Sequence, residues 1–337
     1  MKRFISYFLV VMLIPAMVLT GCKDDSTPEP KGDFKTLSTY LVDKGLDLPA
    51  LLDGWIIDPT LTTATPPGIV DPTDYSIPGW TVFDIRSEGS FNDGHIKGAI
   101  NVALTDVVTK ANALNNPEAK ILVVCYTGQT AGRAVMALRL SGFPNAKVSK
   151  FGFSAWSNNP EFDSWSSATE NGNIAVGSPN WVTTAAPAVP VNAFPSWTST
   201  STDGSVILAS KVDEMLGKSG WGIDGSAVLG ATSDFGIYNF WTNDDYVAFG
   251  HFSGAFQYKP ISLANDVVSA LSPTGKNIVY CYTGQTSSFI AAWLQVLGYD
   301  VQSVKYGVNS LSYTALSDAS KPHWHFPYHE YEYVTVN

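Results

Sequence analysis

The sequence predicts an α/β protein built from two tandem units, each a mainly parallel sheet flanked by helices. Three observations carry that expectation. The hexapeptide CYTGQT occurs twice, from Cys125 to Thr130 and from Cys281 to Thr286. A second pair of segments, GHIKGAI from Gly94 and GHFSGAF from Gly250, is offset by the same 156 residues as the two cysteines, so register is kept across the centre of both copies. Each hexapeptide also follows a short β-branched apolar run and precedes a segment with helical spacing.

In chain order, residues 1–22 read MKRFISYFLVVMLIPAMVLTGC, with Lys2 and Arg3 ahead of an apolar run that ends in small residues. Ser6, Tyr7 and Pro15 interrupt the run, which predicts a secretory leader rather than a spanning helix. Its ending Leu19-Thr20-Gly21-Cys22 resembles the lipobox of bacterial lipoproteins. That resemblance implies a lipidated Cys22 and a protein held at the cell envelope, periplasmic or surface-exposed. Residues 23–34 are polar and proline-containing, suiting a flexible tether. The repeat then places one unit at 35–183, a Pro/Ala/Ser/Thr-rich linker at 184–199 and the second unit at 200–337.

Composition sets the limits on partners. With 337 residues, 45% hydrophobic and 15% charged, the chain has enough apolar material for two full cores. Loss of Lys2 and Arg3 with the leader leaves about 12 net negative charges, which argues against nucleic acid as a partner. An anionic substrate then has to be drawn by local positive potential. Beyond Cys22 the only cysteines are Cys125 and Cys281, too few for a disulfide framework.

Within each unit the pattern places the cysteine. WTVFDI and KILVVC suit strands buried on both faces, and AGRAVMALRLSG and SSFIAAWLQVLG read as helices that stop at Gly142 and Gly298. A strand therefore delivers each cysteine, and a helix leaves just after it. Such a loop turns unpaired N–H groups inward at a helix N-terminus, a nest that stabilises a thiolate or an anion and predicts a thiol pKa below the ordinary value of about 8.5. Gly128 and Gly284 fit the tight backbone, and Thr130 and Thr286 are expected to cap the helices.

Asp84-Ile85-Arg86, the run from Gly94 to Asn101 (GHIKGAIN) and the Cys125 hexapeptide together resemble the rhodanese family of sulfurtransferases; the second copy keeps Gly250-His251, Gly254-Ala255 and the whole hexapeptide. The resemblance implies two tandem rhodanese-like domains. In each, the loop thiolate, Cys125 or Cys281, takes a sulfane sulfur from a thiosulfate-like donor as a persulfide and hands it to a thiol or cyanide acceptor. Tyr126, Thr127, Gly128, Gln129 and Thr130, with Tyr282, Thr283, Gly284, Gln285 and Thr286, are then the donor-binding loops. No cofactor is implied, since the cysteine itself carries the sulfur.

The sequence departs from the family pattern where many members carry Arg after the cysteine and a basic residue at the loop end; here Tyr and Thr stand instead, leaving the anion mainly to backbone N–H groups. Arg133 is expected to add charge at the first loop, where the second copy has Phe289; Asp84, Arg86 and Lys97 likewise become Asn239, Trp241 and Ser253. Asp84 and Arg86 are expected to brace the sheet end as an ion pair, and His95 and His251 to pair backbone groups in their turns. The terminal HWHFPYHEYEY matches no familiar ligand spacing and fits a packed strand better than a metal site. A cysteine phosphatase needs Arg six residues after the cysteine, where Ala131 and Ser287 stand. The alternative to an enzyme is a non-catalytic rhodanese-fold lipoprotein that binds a partner or senses sulfur species.

Overall fold

A computed structural model describes residues 29–169 and 172–336. The leader, Cys22 and most of the tether lie outside them. Strands β1 (Ile56–Ile57), β2 (Thr81–Asp84), β3 (Ile100–Asn101), β4 (Ile121–Val124) and β5 (Lys147–Ser149) form a parallel sheet of order β1-β5-β4-β2-β3. After the short strand β6 (Trp181–Val182), β7 (Gly222–Ile223), β8 (Gly236–Asn239), β10 (Phe256–Gln257), β11 (Asn277–Tyr280) and β12 (Val301–Val304) form a second parallel sheet. Its order, read from β7, is β7-β12-β11-β8-β10, the same path through the same succession of elements. The central strands β4 and β11 are buried along their whole length, as their ILVV and NIVY sequences require of a sheet covered on both faces.

Four longer helices, α1 (Gly32–Asp43), α2 (Gln129–Leu140), α3 (Gly204–Gly217) and α4 (Gln285–Val296), fill the space between the sheets, and one apolar cluster drawn from both units joins them. Helices α2 and α4 are buried almost all round, because each is covered by its own sheet on one side and by the opposing helix on the other. Their close approach depends on small residues. A Cβ at Gly132 would stand 3.3 Å from the Phe289 nitrogen, and the Ser288 hydroxyl donates to the Gln129 carbonyl at 2.8 Å. The segment 184–199 touches both units: Asn192 bonds the backbone of Ser269 and Ala270 and Trp197 donates to the Leu297 carbonyl, while Phe194 stacks on Phe34 of α1 at 4.9 Å.

The ends of the two repeats are exchanged. Strand β6 pairs antiparallel with β9 (His251–Phe252) of the second sheet's unit, while Val334 bridges His95 of the first. Around that bridge Tyr331 packs edge-on to Trp156, Tyr333 packs on Phe162, and His329 Nε2 meets Asp58 at 2.8 Å. The aromatic tail is thus an extended arm with a single bridge rather than a strand. Its histidines are dispersed, His323 bonding the Lys321 carbonyl and His325 that of Pro327.

Candidate active site

Cys125 follows β4 directly, and its Sγ accepts from the backbone N–H groups of Gly128 (3.1 Å) and Ala131 (3.3 Å). The turn closes through Gly128 in the left-handed region (φ 78), and α2 begins at the next residue. Cys281 repeats this after β11: Ser287 N–H reaches its Sγ at 3.4 Å, and Gly284 has φ 75. The helix N-caps are these glycines, without a side-chain cap. Thr130 and Thr286 lie inside the helices, so the expected capping role is not theirs. The threonines that matter locally are Thr127 and Thr283, which accept from the Gln129 and Gln285 amides at 3.0 and 3.1 Å.

Both cysteines are free and buried, 2% and 3% exposed. Burial pushes the Cys125 thiol up and outweighs the loop N–H groups of Ala131, Thr127, Gly128 and Thr130, which draw it down. The expected lowering of this pKa is therefore corrected. A nest lowers a thiol only where solvent or fixed charge offsets desolvation, and no cationic side chain reaches Cys125 Sγ within hydrogen-bonding distance among the described residues.

Arg133 illustrates why. Its guanidinium turns from the loop and donates to the carbonyls of Met215 and Lys218 (3.1 Å) at the end of α3, and burial pulls its pKa down to about 10. The expected contribution to donor binding is corrected accordingly: position 133 faces the other unit. So does position 289, where the Phe289 ring packs 4.6 Å from that of Trp55. Lys97 is spent on Asp74 at the surface, 2.8 Å away.

Arg86 does stand near the first loop. It forms a buried ion pair with Asp84 (2.6 Å), donates to the Gly94 carbonyl (2.6 Å) and lies 3.8 Å over the Phe153 ring. Through Nε and Nη2 these bonds fix the end of β2, and Arg86 lines a cavity of about 280 Å³ with Tyr126, Ser90, Asp93 and Phe153. The Tyr126 hydroxyl meets Ser90 (2.8 Å) and Ser87 (3.2 Å); burial works against it, yet these hydroxyls and Arg86 draw its pKa down. At the second loop Trp241 stacks on Tyr282 at 4.5 Å, and the Tyr282 hydroxyl donates to Asp245, which pairs with Lys321 at 2.8 Å. One mouth carries the Arg86 guanidinium, paired with Asp84 and sharing its cavity with Asp93 and Glu161; the other carries an indole and the Asp245–Lys321 ion pair.

The histidines support backbone. His95 Nδ1 donates to the Phe91 carbonyl (2.8 Å) and its ring stacks on Phe91; His251 does the same with Tyr246 (3.1 Å). Sequence reasoning missed two further features. Ser287, where the first loop has Ala131, places its hydroxyl 3.5 Å from Cys281 Sγ and bonds Ser303 at 2.7 Å. Phe151-Gly152 and Tyr306-Gly307 form left-handed turns beneath the loops, with Phe153 N–H on the Cys125 carbonyl (2.8 Å) and Val308 N–H on that of Cys281 (3.1 Å). The repeated KFG and KYG after β5 and β12 was the signal for these turns.

The residues that build this site match a known family in sequence. The rhodanese-like domain model matches residues 74–159, which include β2, the His95 turn and the whole Cys125 loop. Over 78 residues the chain is 37% identical to the thiosulfate sulfurtransferase GlpE of Shewanella oneidensis, covering 22% of this chain and 73% of that relative. A solved rhodanese-like domain from Anabaena sp. is 32% identical, covering 23% of this chain and 88% of that domain with a TM-score of 0.22. Thiosulfate sulfurtransferase from Pseudomonas aeruginosa is 17% identical, covering 74% of this chain and 43% of that structure with a TM-score of 0.26. Because the Shewanella relative is matched over most of its length, and the family model spans the residues that build the Cys125 loop, the chain belongs to the rhodanese-like family.

Proposed function

We propose that the protein is a tandem sulfurtransferase that moves a sulfane sulfur from a thiosulfate-like donor to a thiol or cyanide acceptor. The observation that carries this reading is the Cys125 sulfur held by loop N–H groups between a parallel strand and a helix. The Cys125 thiolate attacks the outer sulfur of the donor; the donor S–S bond breaks, and sulfite leaves with its electron pair. The acceptor then attacks the outer sulfur of the persulfide, and the Cys125 thiolate is released. The loop N–H groups face the charge on sulfur in both steps, and Arg86 supplies the positive charge nearest the mouth. The second sheet's matching order and the repeated Cys281 loop support a second rhodanese-like unit. Mass spectrometry after thiosulfate treatment tests this: an adduct of about +32 Da, one sulfur atom, on the Cys125 peptide is expected for a persulfide. Untouched thiols would overturn it and leave the reading that the buried cysteines favour, a fold that binds a partner without chemistry.

The Leu19-Thr20-Gly21-Cys22 ending supports a lipid anchor in the cell envelope. Cys22→Ser is expected to move the protein from the membrane fraction to the soluble fraction, since acyl chains would supply the attachment. Among the described residues no helix is long and apolar enough to cross a membrane. Unchanged fractionation of the variant would remove the anchor from this account.

A further inference from the structure

Each cysteine loop sends one side chain into the other unit. Gln285 Oε1 accepts from the Phe151 backbone N–H at 2.8 Å, and Gln129 Oε1 accepts from that of Tyr306 at 2.7 Å. Both glutamines are 2% exposed, and each anchors its own amide nitrogen on the threonine two residues before it. Their targets are unusual. Phe151 and Tyr306 have φ 59, a left-handed conformation that a bulky residue adopts only when its surroundings hold it there.

The backbone just beyond each target supports a cysteine. Phe153 N–H bonds the Cys125 carbonyl and Ser154 N–H that of Tyr126 (3.2 Å); on the other side Val308 N–H bonds the Cys281 carbonyl and Asn309 N–H that of Tyr282 (3.0 Å). A short path of bonded groups therefore runs from Gln285 through the 151–152 turn to Cys125. Its mirror runs from Gln129 through 306–307 to Cys281. The fit leaves little freedom, since a Cβ at Gly128 would lie 2.4 Å from Gln285 Oε1 and one at Gly284 2.6 Å from Gln129 Oε1.

We propose that Gln285 is a positioning residue for Cys125 and Gln129 for Cys281, so that each reactive loop is completed by the opposite unit. This rests on reading the two cysteines as the loop nucleophiles and adds that neither loop reaches its reactive geometry alone. Loss of the glutamine acceptor leaves a buried N–H unpaired, which the backbone relieves by turning away from the left-handed region. That movement takes the Phe153 N–H off the Cys125 carbonyl and disturbs the ring of N–H groups around Sγ.

The test is site-resolved alkylation of the full-length protein by iodoacetamide, read by peptide mass spectrometry from about pH 6 to about pH 10. Gln285→Met keeps the volume and removes the acceptor. It is expected to change the Cys125 rate at neutral pH about tenfold, with a matching displacement of its pH profile of about one unit, and to move Cys281, whose own loop loses the Thr283 contact, by clearly less. Gln129→Met should give the reverse pattern. Equal changes at both cysteines, a change confined to the cysteine on the altered loop, or no change would overturn the proposal. Should these variants not fold, amide hydrogen exchange on the unaltered protein decides: slow exchange at Phe151 and Tyr306 supports the bonds, and fast exchange at either overturns them. Alkylation reads thiol ionisation without a sulfur donor, so a failure of this coupling is distinct from a failure of sulfur transfer.

Discussion

Cys125→Ser is expected to abolish most thiosulfate-dependent transfer, and Cys281→Ser to leave most of it. Both loops present backbone N–H groups to their sulfur, Gly128 and Ala131 at Cys125 and Ser287 at Cys281, and their mouths differ in side chains. Arg86 lines the first, whereas Trp241, Tyr282 and the Asp245 carboxylate stand at the second. A charge-assisted contact to an anionic donor is worth about 1.5–3 kcal/mol, or roughly tenfold to a hundredfold in rate when it acts in the transition state. At the second mouth the indole provides no such contact, and Lys321 is taken up by Asp245. Because burial raises the Cys125 thiol, its thiolate fraction grows as pH rises, so transfer by this cysteine should climb through about pH 7 to 9 instead of levelling below the ordinary thiol range of about 8.5. Steady-state rates of the two variants across that range check both statements. A larger loss from Cys281→Ser would make the apolar second site the principal one.

Gly152→Ala should be nearly as damaging as loss of the nucleophile. Gly152 has φ 68, and a Cβ there would lie 2.4 Å from the Cys125 carbonyl oxygen and 2.6 Å from the nitrogens of Gly128 and Thr127. All three are backbone atoms of the loop itself, so no side chain can swing aside. Gly142 provides the comparison: its φ is 93, but nothing lies within 4 Å of a Cβ. Conformational strain alone costs about 1–2 kcal/mol, the expected effect of Gly142→Ala. At Gly152 the displaced loop adds to this, giving about 3–4 kcal/mol and a fall in Cys125-dependent transfer of about a hundredfold. Urea unfolding and transfer assays on the two variants measure the difference. If Gly152→Ala proves as mild as Gly142→Ala, the 151–152 turn does not hold the loop.

The parallel sheets were readable because TVFD and ILVV carry enough β-branched and apolar character to name a buried strand, and the repeat supplied the second copy. The Asp84 and Arg86 pair was readable because residues two apart at a strand end share a face. Arg133 was not. Helical periodicity reports that a side chain is on a given face, but α2 is covered on all its faces, and only the packing of α3 decides that Arg133 finds the Met215 carbonyl. The Cys125 thiol failed for a similar reason. A sequence shows that a strand-to-helix loop presents N–H groups, whereas the burial that opposes them comes with a core drawn from both units. The reach of Gln129 and Gln285 across to Tyr306 and Phe151 has no local signature in the sequence.

The exchanged ends have a thermodynamic meaning of their own. Strand β6 ties the tail of the first repeat to the second, and the bridge at Val334 ties the tail of the second to the first, so two arms add to the apolar seam and the covalent linker that already join the halves. An arm that lets go is still held near its groove by the other arm, the linker and the seam, at a local concentration set by short stretches of chain and reaching about the millimolar range. Rebinding then outpaces escape, and full separation requires both arms to release while the seam between the helices is also open. The arms behave as a bivalent clasp, in which two weak attachments acting together resist what neither would resist alone.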